Sequence, residues 1–322
     1  MTSKPSIVPT PKGNPVRSIQ QWIRDHDIDE IEAVIPDMTG IARGKLISAK
    51  KYSEQVGLRM PEGIFLQTVT GEYPEDQSAV DPSDGDIFLK PDIESFRLVP
   101  WAQNPTALIV HDCFYADGKP VEMSPRYVLQ KIVQAYHEFG WTPIVAPELE
   151  FYLVKPNHDA DYPLEPPVGR SGRAEPGRQS FSIDAVNEFD PMFEDLYDHC
   201  EVLDIALETL NHEAGAAQME INLAHGDPVK ISDQAFFSNE PLAKQHCGTT
   251  CMLPSWQSQW KKNLAVPCTF IKASSTSDMV KTYLAKTTAR PAHYFLPILQ
   301  AYSATFRLQC RSLHRMSTPT GV

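Results

Sequence analysis

Pro147-Glu148-Leu149-Glu150-Phe151-Tyr152-Leu153 is the stretch on which the reading of this chain turns. Side chains two apart on a strand point to one face. Glu148 and Glu150 are therefore expected side by side, next to apolar Val145, Phe151 and Leu153. Two adjacent carboxylates in an apolar setting repel each other and resist desolvation. A cation between them removes the conflict, and hard oxygen donors suit Mg2+ or Mn2+. A solvated acidic strand edge accounts for the pair equally well on this segment alone.

A second stretch, Asn211-His212-Glu213-Ala214-Gly215-Ala216-Ala217-Gln218-Met219-Glu220-Ile221-Asn222, sharpens the choice. Glu213 and Glu220 flank a turn of small residues and could reach one point from a loop and a strand. Taken alone, Glu213 reads as a surface acid. Glu220 sits between Met219 and Ile221, whose apolar side chains predict burial.

Outward from these segments the pattern is mixed. Upstream, Ser124-Pro125 predicts a helix N-terminus, Val128, Leu129, Ile132, Val133 and Tyr136 recur at helical spacing, and Gly140 closes the helix. A strand is expected over 142–154, a Pro-, Gly- and Arg-rich loop over 156–180, and a helix over 191–204. Strands near 206–210 and 218–223 and a helix over 229–237 follow. In the N-terminal part, a helix over 16–26 precedes strands at 31–35 and 42–47, separated by Asp37-Met38-Thr39-Gly40. Further strands are expected at 87–89, 96–99 and 107–114, with a loop over 74–86. Residues 1–16 hold four prolines and read as a disordered arm. Short strands with few helices suggest a small α+β domain ending near Gly118, and the alternation that follows suggests part of an α/β barrel or open sheet.

The bulk numbers bound the function. The chain has 322 residues, 42% hydrophobic and 22% charged, with a net charge of −12. This suits a globular protein and argues against nucleic acid as a partner. No apolar run is long enough to span a bilayer and the N-terminus has no signal-peptide core, so no membrane partner is expected. Six cysteines without an export signal predict a reducing, cytoplasmic setting.

Glu148-x-Glu150 and the later His212-Glu213…Gln218-x-Glu220 together resemble the glutamine synthetase family. Asp37-Met38-Thr39-Gly40 with Gly44-Lys45 resembles that family's N-terminal β-grasp loop. Asp84-Gly85-Asp86-Ile87 with Lys90-Pro91-Asp92, and Ser124-Pro125-Arg126, resemble two further family stretches. Phe65-Leu66-Gln67-Thr68-Val69-Thr70-Gly71-Glu72-Tyr73 is most similar to the γ-glutamylpolyamine (γ-glutamylputrescine) synthetase branch. The resemblance covers about residues 17–237. It implies an α+β fold, with an N-terminal β-grasp domain over 17–118 followed by a truncated glutamine-synthetase-type α/β catalytic barrel, whose first part is 119–237. It implies ATP-dependent ligation of the glutamate γ-carboxylate to an amine, either a polyamine such as putrescine or ammonia. It further implies Mg2+ or Mn2+ as cofactor, with glutamate, ATP and the amine as substrates, in a homo-oligomeric ring. Carried over by residue, Glu150, Glu213 and Glu220 hold one metal, Glu148 helps hold a second, and Asp37 binds or deprotonates the amine in a neighbouring subunit's site.

The resemblance stops after Phe237, where composition also changes. Residues 238–322 hold two acids, Glu240 and Asp278, against ten Lys and Arg, and four of the six cysteines. The family's Thr-Phe-Met-Ala-Lys-Pro strand, its Gly-Ser-Gly-Met-His-x-His segment and its later arginines are missing, and with them the loops that would bind ATP and glutamate. A shifted frame recovers two of these. Joining the last base of each codon to the first two of the next, the run from Cys251 to Gln259 permits Tyr-Ala-Thr-Phe-Met-Ala-Lys-Pro. The run from Lys262 to Lys272 permits Glu-Pro-Gly-Ser-Ala-Met-His-Val-His-Gln. Residues 238–322 are therefore expected to be an out-of-frame tail, and the chain to be inactive. The alternative is a non-catalytic ligase fragment that binds a divalent cation or associates with intact subunits.

Overall fold

The computed structural model describes residues 15–54, 58–68, 71–76, 85–155, 163–244 and 251–254. All of them fall within one compact unit spanning Met1–Ala273. The expected disordered arm, apart from its last two residues, lies outside the described residues, as does the tail beyond Pro254.

The N-terminal part begins with helix α1 (Pro15–Asp25), then strands β1 (Glu30–Pro36) and β2 (Ala42–Ser48). Helix α2 (Ala49–Glu54), strand β3 (Leu58–Pro61) and a 3-10 turn over Glu62–Leu66 follow, none of them expected from the sequence. They are too short for periodicity to register. Strands β4 (Asp86–Pro91), β5 (Arg97–Leu98) and β6 (Thr106–Phe114) complete a six-stranded sheet in the order β2-β1-β6-β4-β3, with β5 also on β6. The β1–β6 pair is parallel and the others are antiparallel.

Period-two alternation sorts this sheet's side chains between two cores. Ile31, Ala33 and Ile35 of β1 and Ala107, Ile109 and Cys113 of β6 pack with Ile19, Trp22 and Ile23 of α1. Val34, Leu108 and Val110, on the opposite face, join the core of the second sheet. The β1–β2 hairpin closes tightly: a Cβ at Gly44 would lie 2.1 Å from the Ala33 carbonyl oxygen, so only glycine fits.

Helix α3 (Pro125–Glu138) leads to β7 (Glu148–Val154), helices α4 (Ile183–Asn187) and α5 (Asp190–Val202), β8 (Leu207–His212), β9 (Gln218–Leu223), α6 (Pro228–Lys244) and β10 (Cys251–Pro254). The second sheet has the order β10-β7-β9-β8 and is antiparallel throughout. Its apolar face carries Phe151, Leu153, Met219, Ile221 and Leu223, covered by Met192, Phe193 and Leu196 of α5 and Phe237 of α6.

Several boundaries differ from the sequence reading. The strand expected from 142 begins at Glu148, because Pro143 and Pro147 lack the N–H groups a ladder needs. Ser124 stands at the N-cap of α3 without a capping side-chain bond, and the helix start is set instead by Pro125. The expected helix over 229–237 continues to Lys244 even though Pro241 leaves the Phe237 carbonyl without its i+4 donor. The position of Phe237 is thus inside an element. β10 occupies residues whose shifted-frame reading, Tyr-Ala-Thr, leads into the Thr-Phe-Met-Ala-Lys-Pro strand.

Arg126, the second residue of α3, joins the two parts of the fold. Its guanidinium reaches Asp112 of β6 at 2.5 Å and Asp233 of α6 at 2.9 and 3.1 Å, and also bonds Asp92. Burial works against its charge, but Asp233 and Asp112 more than offset this and hold it protonated. Burial, with Asp92 and Asp112, raises the Asp233 carboxyl against the pull of Arg126. Among the described residues no helix is long and apolar enough to cross a membrane.

Candidate functional site

Alternation along β7, β9 and β8 builds a polar face opposite the apolar one. Glu148, Glu150 and Tyr152 share it on β7; Gln218, Glu220 and Asn222 share it on β9. Registration places Glu150 directly across from Glu220, Glu148 across from Asn222, and Asn211 of β8 on the other side of Glu220. Glu213 follows β8, its N–H donating to the Gln218 carbonyl at 2.7 Å. The four glutamates expected to act together are therefore gathered on one surface.

Their charges are felt mutually. Burial raises the Glu150 carboxyl above the usual range, Gln218 opposes this, and Glu213 and Glu148 push it further up. Burial likewise raises Glu220; Asn222 opposes, and Glu213, Glu148 and Glu150 add to the rise. Among the described residues no cationic side chain bonds them. Amides do: Gln218 Nε2 donates to Glu150 Oε2 at 2.8 Å, Asn211 Nδ2 to Glu213 Oε1 at 3.1 Å and Asn222 Nδ2 to Glu220 Oε1 at 3.1 Å.

In this arrangement no three Asp, Glu, His or Cys side chains among the described residues close on a common point. The donor chemistry fits a hard divalent cation all the same, since every group offered is a carboxylate oxygen and the cluster is short of positive charge. Such a cation would be held by Glu150, Glu213 and Glu220, with Glu148 alongside.

Asp37 is placed differently. It is 1% exposed at the end of β1. Its Oδ1 accepts from Thr39 N at 2.8 Å, Thr39 Oγ1 at 2.7 Å and Ile41 N at 2.9 Å. Its Oδ2 accepts from Arg43 Nε at 2.8 Å. These bonds all lie within residues 37–43, and the structure does not join Asp37 to the glutamates.

Sequence reasoning missed the amides and Tyr152, although the alternation that paired Glu148 with Glu150 extends to Tyr152, and from Glu220 to Gln218 and Asn222. It also missed His212 as a bracket. The imidazole is fully buried, with Nδ1 2.6 Å from the Glu213 carbonyl oxygen and Nε2 3.6 Å from Glu175 Oε1. Glu175 lies in the loop before α4, which docks on the same turn through Arg178 N–H to Ala214 O and Phe181 N–H to His212 O, both 2.8 Å. Arg178 and Phe181 make these bonds from φ values of 68° and 61°, unusual for residues with side chains.

The family-model match falls on this part of the chain, while the relatives extend further. Residues 122–254 match the catalytic domain of glutamine synthetase, a span running past Phe237 to the end of β10. The glutamate–isopropylamine ligase of a Pseudomonas species is 28% identical over 261 residues, covering 76% of this chain and 54% of the relative. γ-Glutamylputrescine synthetase PuuA of Escherichia coli K12 is 29% identical over 205 residues, covering 62% and 43%. The chain spans about half the length of the curated relatives it matches. Among solved structures, a GmaS/ADP complex aligns with a TM-score of 0.57 over 73% of this chain and 50% of that one, at 18% identity. That likeness concerns the fold alone and confirms a mixed α/β architecture. Residues 122–254 thus resemble the catalytic domain of the glutamine synthetase family.

Proposed function

We propose that residues 17–237 form the first half of an ATP-dependent glutamate–amine ligase, with 17–118 a β-grasp domain and 119–237 the opening of the catalytic barrel. One observation carries this reading: Glu148, Glu150 and Glu220 share a strand face with Glu213 at its edge, and among the described residues the side-chain donors to Glu150, Glu213 and Glu220 are neutral amides. Glu150, Glu213 and Glu220 hold one Mg2+ or Mn2+, and Glu148 contributes to a second. When bound, the cations shield the ATP phosphates and the glutamyl carboxylate. The γ-phosphoryl group of ATP passes to the glutamate γ-carboxylate, leaving ADP. The amine nitrogen then bonds to the γ-carbon, phosphate departs with the C–O bonding pair, and the nitrogen gives up a proton. The amine is a polyamine such as putrescine, or ammonia; relatives are named for isopropylamine and putrescine, and others are glutamine synthetases.

Asp37 enters this reading through a homo-oligomeric ring, in which its loop serves a neighbouring subunit's site. Its carboxylate is fully engaged, so it would take a proton from the amine only by releasing Thr39, Ile41 or Arg43.

A second reading is favoured by residues 238–322: the chain by itself is non-catalytic. The tail lacks the His-x-His segment and phosphate-binding arginines, and Pro241 interrupts the bonding of α6. Loss of one base near Phe237 accounts for both. Without a clamp on the transferred phosphoryl group, electrostatic stabilisation of the reacting charge is lost. Mn2+ titration of the purified chain, followed by electron paramagnetic resonance, tests the first reading; no binding at millimolar Mn2+ removes it. Incubation with ATP, glutamate and putrescine tests the second, with no γ-glutamyl product expected. Resequencing from codon 225 onward distinguishes a deletion in the gene from one in its reading.

A further inference from the structure

We infer that Gln218 is a positioning residue that ties Glu150 on β7 to the turn carrying Glu213, so that the carboxylates on either side of that turn act as one cation site. The inference rests on the cation reading above.

Gln218 opens β9, opposite Tyr152 on β7, and is nearly inaccessible to solvent. Both ends of its amide are used. Nε2 donates to Glu150 Oε2 at 2.8 Å, and Oε1 accepts the Gly215 N–H at 2.9 Å. Only this orientation of the amide serves both, because a flipped group would face N–H with N–H and oxygen with carboxylate. Its backbone closes the same turn, accepting from Glu213 N at 2.7 Å and donating to Gly215 O at 3.3 Å.

The turn is also pressed onto the amide. A Cβ at Gly215 would lie 2.6 Å from Gln218 Oε1 and 2.8 Å from Tyr152 Oη, so Gly215, Gln218 and Tyr152 are interlocked. Asn211 and Asn222 differ in kind. Each bonds a carboxylate two residues away on its own chain segment, whereas Gln218 crosses from one ligand-bearing segment to another. It engages one oxygen of Glu150 and leaves the other for a ligand. Partners that orient a metal ligand in this way typically account for 10–100-fold in affinity.

The test is Mn2+ titration of the full chain, with bound Mn2+ read by electron paramagnetic resonance and its coordinated water by proton relaxation. Gln218→Met keeps the volume and removes both amide bonds. Gly215→Ala displaces the amide without touching a ligand and serves should the first variant not fold. Both are expected to weaken Mn2+ binding roughly 10–100-fold, and to add water to the bound ion as Glu150 is lost. Gln218→Met should also speed amide exchange at Gly215 in the absence of Mn2+. Wild-type binding with unchanged affinity and hydration in both variants overturns the role of Gln218 and leaves the cation site standing. A wild-type chain that binds no Mn2+ overturns both.

Discussion

Asp37 and the glutamates of β7 and β9 are all acids set among apolar strand residues, but donors surround them very differently. The Asp37 carboxylate is buried and meets four donors, one of them the Arg43 guanidinium. The four glutamates are less buried and feel one another's charge; among the described residues, Glu150, Glu213 and Glu220 each receive one neutral side-chain amide. An acid whose lone pairs are filled by its own loop organises structure. Acids that remain short of positive charge after folding have capacity left for a ligand. Arg126 gives a third case, in which one guanidinium is shared by three aspartates.

The largest effect should come from removing that guanidinium. Arg126→Met leaves Asp92, Asp112 and Asp233 without their cation, two of them on elements more than a hundred residues apart in sequence. Breaking a buried pair from one side is strongly unfavourable, and a loss of about 4–5 kcal/mol is expected in urea denaturation. A loss below about 1 kcal/mol, the range of exposed pairs, would mean that the cluster does not join the two parts of the fold.

Asp37→Ala should come next, at about 3 kcal/mol, because it strands Arg43 and two backbone N–H groups together. Glu150→Gln is its counterpart on the other side of the comparison. It relieves a like-charge contact with Glu220 and keeps an acceptor for Gln218, so stability should hold or rise by up to about 1 kcal/mol. Mn2+ binding should nevertheless be lost. If Glu150→Gln were as destabilising as Asp37→Ala, the glutamates would be structural acids like Asp37 and the contrast would collapse.

What sequence could and could not reveal follows the same division. The grouping of Glu148, Glu150, Glu213 and Glu220 was legible because strand alternation is local and a single turn links the later pair. The setting of Asp37 was not, since it depends on how tightly the hairpin closes at Gly44 and on Arg43 reaching back. Arg126 was visible only as part of a family stretch; its partners come from β4's far end, β6 and α6, which no local pattern connects. Apolar pattern alone extends the strand back to 142, but it does not register the N–H groups that Pro143 and Pro147 lack, so the strand begins at Glu148. In sequence Gln218 is one residue of the Gln218-x-Glu220 stretch, and its two-ended role emerges only with β7 and β9 in register.

The smallest expected effect is also the one that isolates the glutamates without a cation. Glu150 and Glu220 have carboxyls raised above the ordinary value of 4.5, through burial first and neighbouring carboxylates after it. A raised folded value means the folded chain keeps these protons to higher pH than the unfolded chain does. Their contribution is then fully present below pH 4.5 and is lost as pH rises through the raised folded values, so stability falls with pH in that window. Asp233 and Glu175 are raised as well and contribute the same sign, so the wild-type profile alone does not separate them. The difference between wild type and Glu150→Gln/Glu220→Gln does. The double variant should show a shallower decline from pH 4.5 to 7 in denaturation midpoints. Saturating Mn2+ should flatten the wild-type profile in the same direction, because a cation favours the deprotonated carboxylates. Identical slopes in wild type and double variant would mean that the amides alone compensate these carboxyls.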